Sequence, residues 1–397
     1  MHLPTLLSFL PLALAGPTPK RSEPAPLIIP RGEGTKLVPN EYIIKFKKGS
    51  ALESLQGVVS KLNHEPYHVF DSIFKGFAGK LDPAMLETIR GHPDVDFVEQ
   101  NVKFHTTATV TQNNAPWGLG RISHKRPGSS SYVFDDSAGA GTCAYIVDTG
   151  IDYRHADFEG RAKLVKVFNG DSNDNCGHGS HVAGTIGGKT YGVAKKTNLY
   201  SIKVLEYNPS NKKCEGSNDV IIAGLDYISK DAASRSCPKG IVVNMSLGGD
   251  YSQASNNAVA ALVKRGYFVA VAAGNGDARG NPINAQNVSP ASEKSACTIG
   301  ATDSSDRVAS FSNYGSLVDL HGPGVSVVSV RAGGGYTTMS GTSMATPHVA
   351  GLGAYFLGLG KPANNMCQYL QSVALKNNIQ GLHSGTSNLL AQNGIGA

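Results

Sequence analysis

Three short stretches hold residue types that could carry out nucleophilic catalysis. Ser340-Gly341-Thr342-Ser343-Met344-Ala345-Thr346-Pro347-His348 is a small-residue turn that runs into the apolar stretch from Val349 to Leu359. A serine in the first turn of a helix lies among unpaired backbone N–H groups at the positive end of the helix dipole, where a developing oxyanion is stabilised. Ser343 is therefore a candidate nucleophile, although the same position also suits a plain helix cap. Such a serine needs a base, and the base needs a carboxylate to orient it. A second turn entering an apolar helix, Cys176-Gly177-His178-Gly179-Ser180-His181-Val182-Ala183-Gly184-Thr185, offers His178. Asp148-Thr149-Gly150 follows the apolar run Ala144 to Val147, which puts Asp148 at a strand's carboxyl end.

Other chemistries fit these residues less well. His178 and His181 are three apart, whereas a helical zinc pair needs four with an intervening Glu. An Asp-Thr-Gly acid dyad needs a second copy, and the chain has one. The serine turn lacks the second glycine of a nucleophile elbow, and the order Asp, His, Ser is not that of α/β-hydrolases.

The elements that must position these residues read as a parallel α/β sheet. Near-continuous apolar runs at Ala144–Val147, Leu199–Leu205, Ile241–Met245 and Phe268–Ala272 predict buried strands. Helical periodicity predicts helices over His178–Gly187, Val220–Ala233, Ser252–Lys264 and Ser343–Leu359. Strands alternating with helices give a parallel sheet, and ligands bind beyond the carboxyl ends of its strands.

Upstream, a strand at Tyr42–Phe46, a helix within Leu52–Leu62, two strands within Tyr67–Leu81, a helix at Pro83–Ile89 and a strand at Val95–Glu99 give the order βαββαβ of a small ferredoxin-like α+β unit. It has no cysteine and no clustered catalytic residues. Gly16–Lys36 reads as a flexible linker, and the polar stretch Phe104–Asn114 as the boundary between units. The apolar run Leu6–Leu14 ahead of Ala13-Leu14-Ala15 reads as a signal peptide over residues 1–15, without the usual basic start. The run is too short to span a bilayer. A soluble, exported product is expected.

With 397 residues, 47 glycines and 17% charged residues, the composition is that of a turn-rich globular chain. The net charge of +6 is dispersed, without the basic tract that would read nucleic acid. Six cysteines in an exported chain suggest disulfides, with 15 connectivities open from sequence, and no CxxC pair suggests zinc. Of two sequons, Asn244 ends a buried strand, which leaves Asn287 as the glycosylation candidate.

The segments around Asp148, His178 and Ser343 resemble the three signatures of the subtilisin-like serine proteases. Ala115-Pro116-Trp117-Gly118-Leu119, Ser246-Leu247-Gly248-Gly249, Ala272-Ala273-Gly274-Asn275 and Ser310-Phe311-Ser312-Asn313-Tyr314-Gly315 are similar to the proteinase K branch, mostly secreted by fungi. The resemblance covers Ala115 to about Tyr369. It implies a serine endopeptidase of broad specificity on protein and peptide substrates, active as a monomer. Asp148, His178 and Ser343 would form the triad and Asn275 would line the oxyanion hole. Ser246, Leu247, Gly248, Gly249, Ala272, Ala273 and Gly274 would bind substrate. The first unit resembles the family's I9-type propeptide, an intramolecular chaperone and inhibitor, which implies a propeptide over 16–109 (inhibitor fold about 36–106), cleavage near Thr109-Val110 and a catalytic domain over 110–397. The resemblance implies bridges Cys143–Cys237 and Cys297–Cys367, with Cys176 and Cys214 left as a third pair. It also implies structural Ca²⁺ on Asp319 and the carbonyls of Lys294 and Ala296. Two departures stand out: Asn218 where the branch carries a tyrosine in its distal substrate wall, and Lys125 where a second calcium site would need an oxygen.

Overall fold

The computed structural model describes residues 23–30, 36–103 and 109–397. The signal-peptide reading lies outside them. The chain divides into two compact units, Met1–His105 and Thr106–Ala397.

In the first unit the order of elements from Lys36 onward is the expected one, with helices Leu52–Val59 and Pro83–Arg90 and strands Lys36–Phe46, His68–Phe70, Gly76–Lys80 and Val95–Lys103. Pro83 starts its helix where a missing N–H costs nothing, and the Asp82 carboxylate caps it by accepting from Met85 N at 2.8 Å. Ile44, Phe46, Leu55, Phe77, Ile89 and Val98 meet in a core of their own. The linker reading of Gly16–Lys36 is corrected in part. Leu27–Ile28 adds a strand parallel to Val98–Glu99, and Ala25 is buried with its N–H on the Arg90 carbonyl. A short apolar run beside an open sheet edge was enough to order it.

The second unit is built on a nine-stranded sheet. From one edge its strands run Leu375–Lys376, Leu389–Leu390, Leu320–Pro323, Cys297–Thr302, Phe268–Ala272, Gly240–Met245, Thr142–Asp148, Asn198–Lys203 and Ala162–Val167. Every neighbouring pair is parallel except the outermost, Leu375–Lys376 with Leu389–Leu390. Side chains of Thr142–Asp148 alternate between two cores, which is why the strand reads as a continuous apolar run. Ala144 and Ile146 face the helices His178–Gly187 and Thr342–Gly358, while Cys143, Tyr145 and Val147 face Asn218–Asp231 and Gln253–Lys264. Helix Thr342–Gly358 is buried almost all round, so it lacks the polar stripe of a surface helix.

From Thr142–Asp148 the chain moves to one side of the sheet, and from Gly240–Met245 onward to the other. The carboxyl ends of these two neighbouring strands therefore flank a topological switch point, where a crevice opens. Asp148 and Ser246 stand there.

Candidate active site

His178 is the first residue of its helix and is about one quarter exposed, while Asp148 is fully buried. The imidazole Nδ1 donates to Asp148 Oδ1 at 2.7 Å, and Thr149 N donates to the same oxygen at 2.7 Å. A carboxylate only accepts, so the proton sits on Nδ1 and Nε2 keeps its lone pair. Burial pulls the His178 pKa down, but the charge and hydrogen bond of Asp148, with the charge of Asp174, outweigh it and hold the ring above the usual 6.5.

Ser343 follows Thr342, the first residue of its helix. Proline at 347 has no N–H, so the carbonyl four residues earlier, that of Ser343, is without its helical donor. Ser246 fills the gap, its hydroxyl donating to Ser343 O at 2.9 Å. In return Ser343 Oγ donates to the Ser246 carbonyl at 3.1 Å, which is the partner it has here in place of His178. His178 and Ser246 line one cavity of about 550 Å³.

Asn275 is aimed by Thr342. Its Oδ1 accepts from Thr342 N at 2.8 Å and from Thr342 Oγ1 at 2.9 Å, which leaves the Nδ2 amide free to donate. A Cβ placed on Gly341 would lie 3.3 Å from Asn275 Nδ2 and 3.5 Å from Ser343 N. Two donors thus converge on the space that glycine leaves open. From below, Asn313 fixes the turn. It accepts from Gly276 N and Ile283 N, donates to the Ala273 carbonyl, and leaves no room for a side chain on Gly274, whose φ is +99°.

Leu247, Gly248, Gly249, Ala272 and Gly274 line a second cavity of about 400 Å³ with Asn275, Thr342 and Ser343. Ala273 does not line it. It is fully buried, packs with Ala285 and Val318, and sends its N–H to the Ile299 carbonyl. Alternation along extended backbone turns its methyl away from the cavity. Asn218 lines the larger cavity with Leu205, Ile221 and Cys214. All three disulfides are formed, Cys143–Cys237, Cys176–Cys214 and Cys297–Cys367. The second ties the turn before His178 to the hairpin Glu206–Asn208/Lys213–Glu215 at the cavity wall. Each closure removes about 3 to 5 kcal/mol of unfolded-chain entropy in the loop model.

Asp319 stands half-buried at the start of strand Leu320–Pro323, and burial pushes its pKa up to about 6. It accepts from Thr298 N at 2.9 Å and from Gln371 Nε2 at 3.2 Å. The cysteines beside it are spent on their bridge. A largely desolvated carboxylate next to the loop that carries Lys294 and Ala296 has the hard-oxygen character that calcium takes. Asn244 is fully buried, whereas Asn287 is exposed and lines the second cavity.

Sequence reasoning passed over Asp174, Thr342 and Asn313 as members of the site. Asp174 stands three residues before Gly177, the N-cap of the histidine helix, so no cap signal in the sequence points to it.

A buried carboxylate holding a histidine beside a helix-mouth serine, on a doubly wound sheet, defines a serine hydrolase. The chain belongs to the subtilase family, whose profile matches residues 139–387, and a peptidase inhibitor I9 profile matches 41–107. It is a serine endopeptidase with an I9 propeptide. It is 49% identical to proteinase R of Parengyodontium album, with 99% of each chain covered. It is 50% identical to the cuticle-degrading protease of Metarhizium anisopliae, over 99% of this chain and 100% of that one. The crystal structure of a cold adapted subtilisin-like serine proteinase matches with a TM-score of 0.64 at 40% identity, covering 71% of this chain and 99% of that one.

Proposed function

We propose that Ser343 attacks the peptide carbonyl, His178 takes its proton and returns it to the leaving amine, and Asp148 holds the imidazole and stabilises the imidazolium. For this the serine hydroxyl leaves the Ser246 carbonyl and turns to His178 Nε2. The carbonyl oxygen, negative in the tetrahedral intermediate, accepts from Asn275 Nδ2 and Ser343 N. Collapse expels the amine and leaves an acyl-serine, which water hydrolyses by the same route. The convergence of these two donors over Gly341 is the observation that carries the reading. Substrate side chains enter the two cavities along Ser246–Gly249 and Ala272–Gly274. Their lining of glycines and other small residues, mixed apolar and polar, supports broad specificity on unfolded protein.

The first unit acts as chaperone and inhibitor until the chain cuts itself near Thr109-Val110. Thr109–Gln112 pairs with Tyr132–Asp135 inside the second unit, which supports a mature chain that starts there. Three disulfides fit export to an oxidising medium, and the exposed Asn287 fits a glycan. The test is intact mass of wild type and Ser343→Ala after treatment with a sulfonyl fluoride. Wild type is expected trimmed to about residue 110 and labelled once, the variant full-length and unlabelled. An unlabelled wild type, or a variant trimmed in a protease-free host, overturns the assignment.

The pH dependence follows from the sign of the His178 shift. The base works when neutral and its pKa is raised, so the acid limb of kcat/KM is expected to inflect above 6.5. A limb at 6 or lower contradicts the Asp148–His178 pairing.

When calcium is bound, Asp319 with the carbonyls of Lys294 and Ala296 would hold it, and the ion would supply charge compensation and cross-link a loop to the sheet. Chelation is expected to lower the melting temperature of Ser343→Ala by several degrees, and Asp319→Asn to remove that dependence. Equal melting with and without chelator in the parent contradicts the site.

A further inference from the structure

One buried carboxylate beside the triad has no part in the chemistry just described. Asp174 lies in the turn before the His178 helix and accepts four hydrogen bonds. Oδ1 takes Thr149 Oγ1 at 2.7 Å and Gly177 N at 2.9 Å, while Oδ2 takes Ser180 N at 2.8 Å and Ser180 Oγ at 2.7 Å. Thr149 Oγ1 in turn accepts from Gly179 N at 2.9 Å, and Ser180 Oγ accepts from Asp152 N at 2.8 Å.

A helix cap needs only the bonds to Gly177 and Ser180. The bond to Thr149 crosses to a different element, the turn immediately after Asp148. The next turn residue, Asp152, is tied in through Ser180. The first turn of the histidine helix and the turn that follows the aspartate strand are therefore closed into one buried network with Asp174 at its centre. Side chains on either side of that network cannot shift independently, and His178 and Asp148 are those side chains.

We propose that Asp174 is a positioning residue for the Asp148–His178 pair, locking the two turns in register and supplying a second negative charge behind the imidazole. The inference rests on His178 acting as the base. The charged and titratable groups around that ring are Asp148 from the strand, Asp174 from the turn and His181 from its own helix. Glu215 and Asp250 line the cavity it opens on, and the Lys203 ammonium, held on the Thr149 carbonyl at 2.6 Å, lies behind the aspartate turn. Among these, Asp174 combines a charge acting on His178 with a hydrogen bond to the turn of Asp148.

Asp174→Asn keeps the shape but removes the charge. Its single acceptor oxygen cannot serve donors on both sides, because the amide N–H₂ would face donors on the other. Turnover is read on a peptide anilide with enzyme concentration fixed by sulfonyl fluoride titration, so that unfolded material does not count. We expect kcat to fall about 10- to 100-fold with KM nearly unchanged, as a displaced base predicts. The acid limb of kcat/KM should move to lower pH, because an oppositely charged neighbour that favours the imidazolium is gone. Thr149→Val, which keeps the carboxylate but breaks the crossing bond, should lower kcat and leave the acid limb in place. A purely structural role would lower the melting temperature and the titratable fraction while leaving kcat and the acid limb at wild-type values, and that result overturns the proposal. If Asp174→Asn yields no folded enzyme, Thr149→Val decides, and kcat within twofold of wild type overturns it. Wild type that takes no label or shows no acid limb would instead overturn the assignment of His178 as base.

Discussion

Gly341→Ala and Asn275→Ala are each expected to cut kcat by about 100- to 1,000-fold with KM little changed, Asn275→Ala leaving the melting temperature near wild type and Gly341→Ala lowering it, because its φ of +159° strains any side chain. The magnitude is that known for loss of one oxyanion donor in subtilisin itself. The two substitutions fail for different reasons. Asn275→Ala removes a donor whose direction is fixed by two bonds from Thr342. Gly341→Ala leaves both donors in place and sets a methyl 3.3 Å from one and 3.5 Å from the other, in the space the oxyanion must enter. A combined variant should therefore lose little more than either alone, because a filled hole has no use for its donors. Burst kinetics with active-site titration checks this. Additive losses in the double variant, or losses in KM equal to those in kcat, would count against a shared oxyanion site.

The three residues proposed for the triad were legible in the sequence because each stands where a small-residue turn meets a buried element, and that juncture leaves a local mark. The sheet was legible for the same reason at Thr142–Asp148, Gly240–Met245 and Phe268–Ala272, whose apolar runs have no polar alternation. Ala162–Val167 went unread because Lys163 and Lys166 interrupt it at an edge. Cys297–Thr302, with threonine and glycine at buried positions, has little apolar contrast to detect. The supports of the site were not legible. Thr342 meets Asn275 across 67 residues and Thr149 meets Asp174 across 25, and nothing in either local pattern announces its partner. Lys203 is the clearest case. In sequence it lies inside the run Leu199–Leu205 with no role given to it, yet it is fully buried opposite Asp148 in register, with its ammonium on the carbonyls of Thr149 and Leu205. Such roles depend on which strands become neighbours, and strand order is settled by the whole fold.

Acid should destabilise this protein above the pH at which an ordinary carboxylate titrates. His181, His321 and His348 are buried, and burial lowers each to a pKa of about 4. Their folded values lie below the unfolded 6.5, so between pH 6.5 and 4 the unfolded chain binds protons that the folded chain refuses. Stability is therefore lost as pH falls through that window, by about 3 kcal/mol for each ring at most. Two groups oppose the trend. Asp319, raised to about 6, and His178, raised above 6.5, both take protons more readily folded than unfolded. Bound calcium would remove the first of these. The three histidines outnumber the opposing groups, and a net loss of several kcal/mol is a large share of the roughly 5 to 15 kcal/mol that holds a domain together. His321 is the ring to change, because His181 and His348 each bond a backbone carbonyl, at 3.0 and 2.8 Å, and His321 bonds no group among the described residues through either nitrogen. Its strand partner is Gly300, which leaves room for the ring and no donor for it. His321→Phe in a Ser343→Ala background, where self-digestion is absent, should leave the melting temperature at pH 8 equal or higher. It should also flatten its fall between pH 6.5 and 4.5 by more than a third, since one of three such groups is gone while the two opposing groups remain. A parent whose melting temperature is level across that window, or a phenylalanine variant that falls as steeply as the parent, would show that this buried imidazole finds a proton-accepting environment when charged.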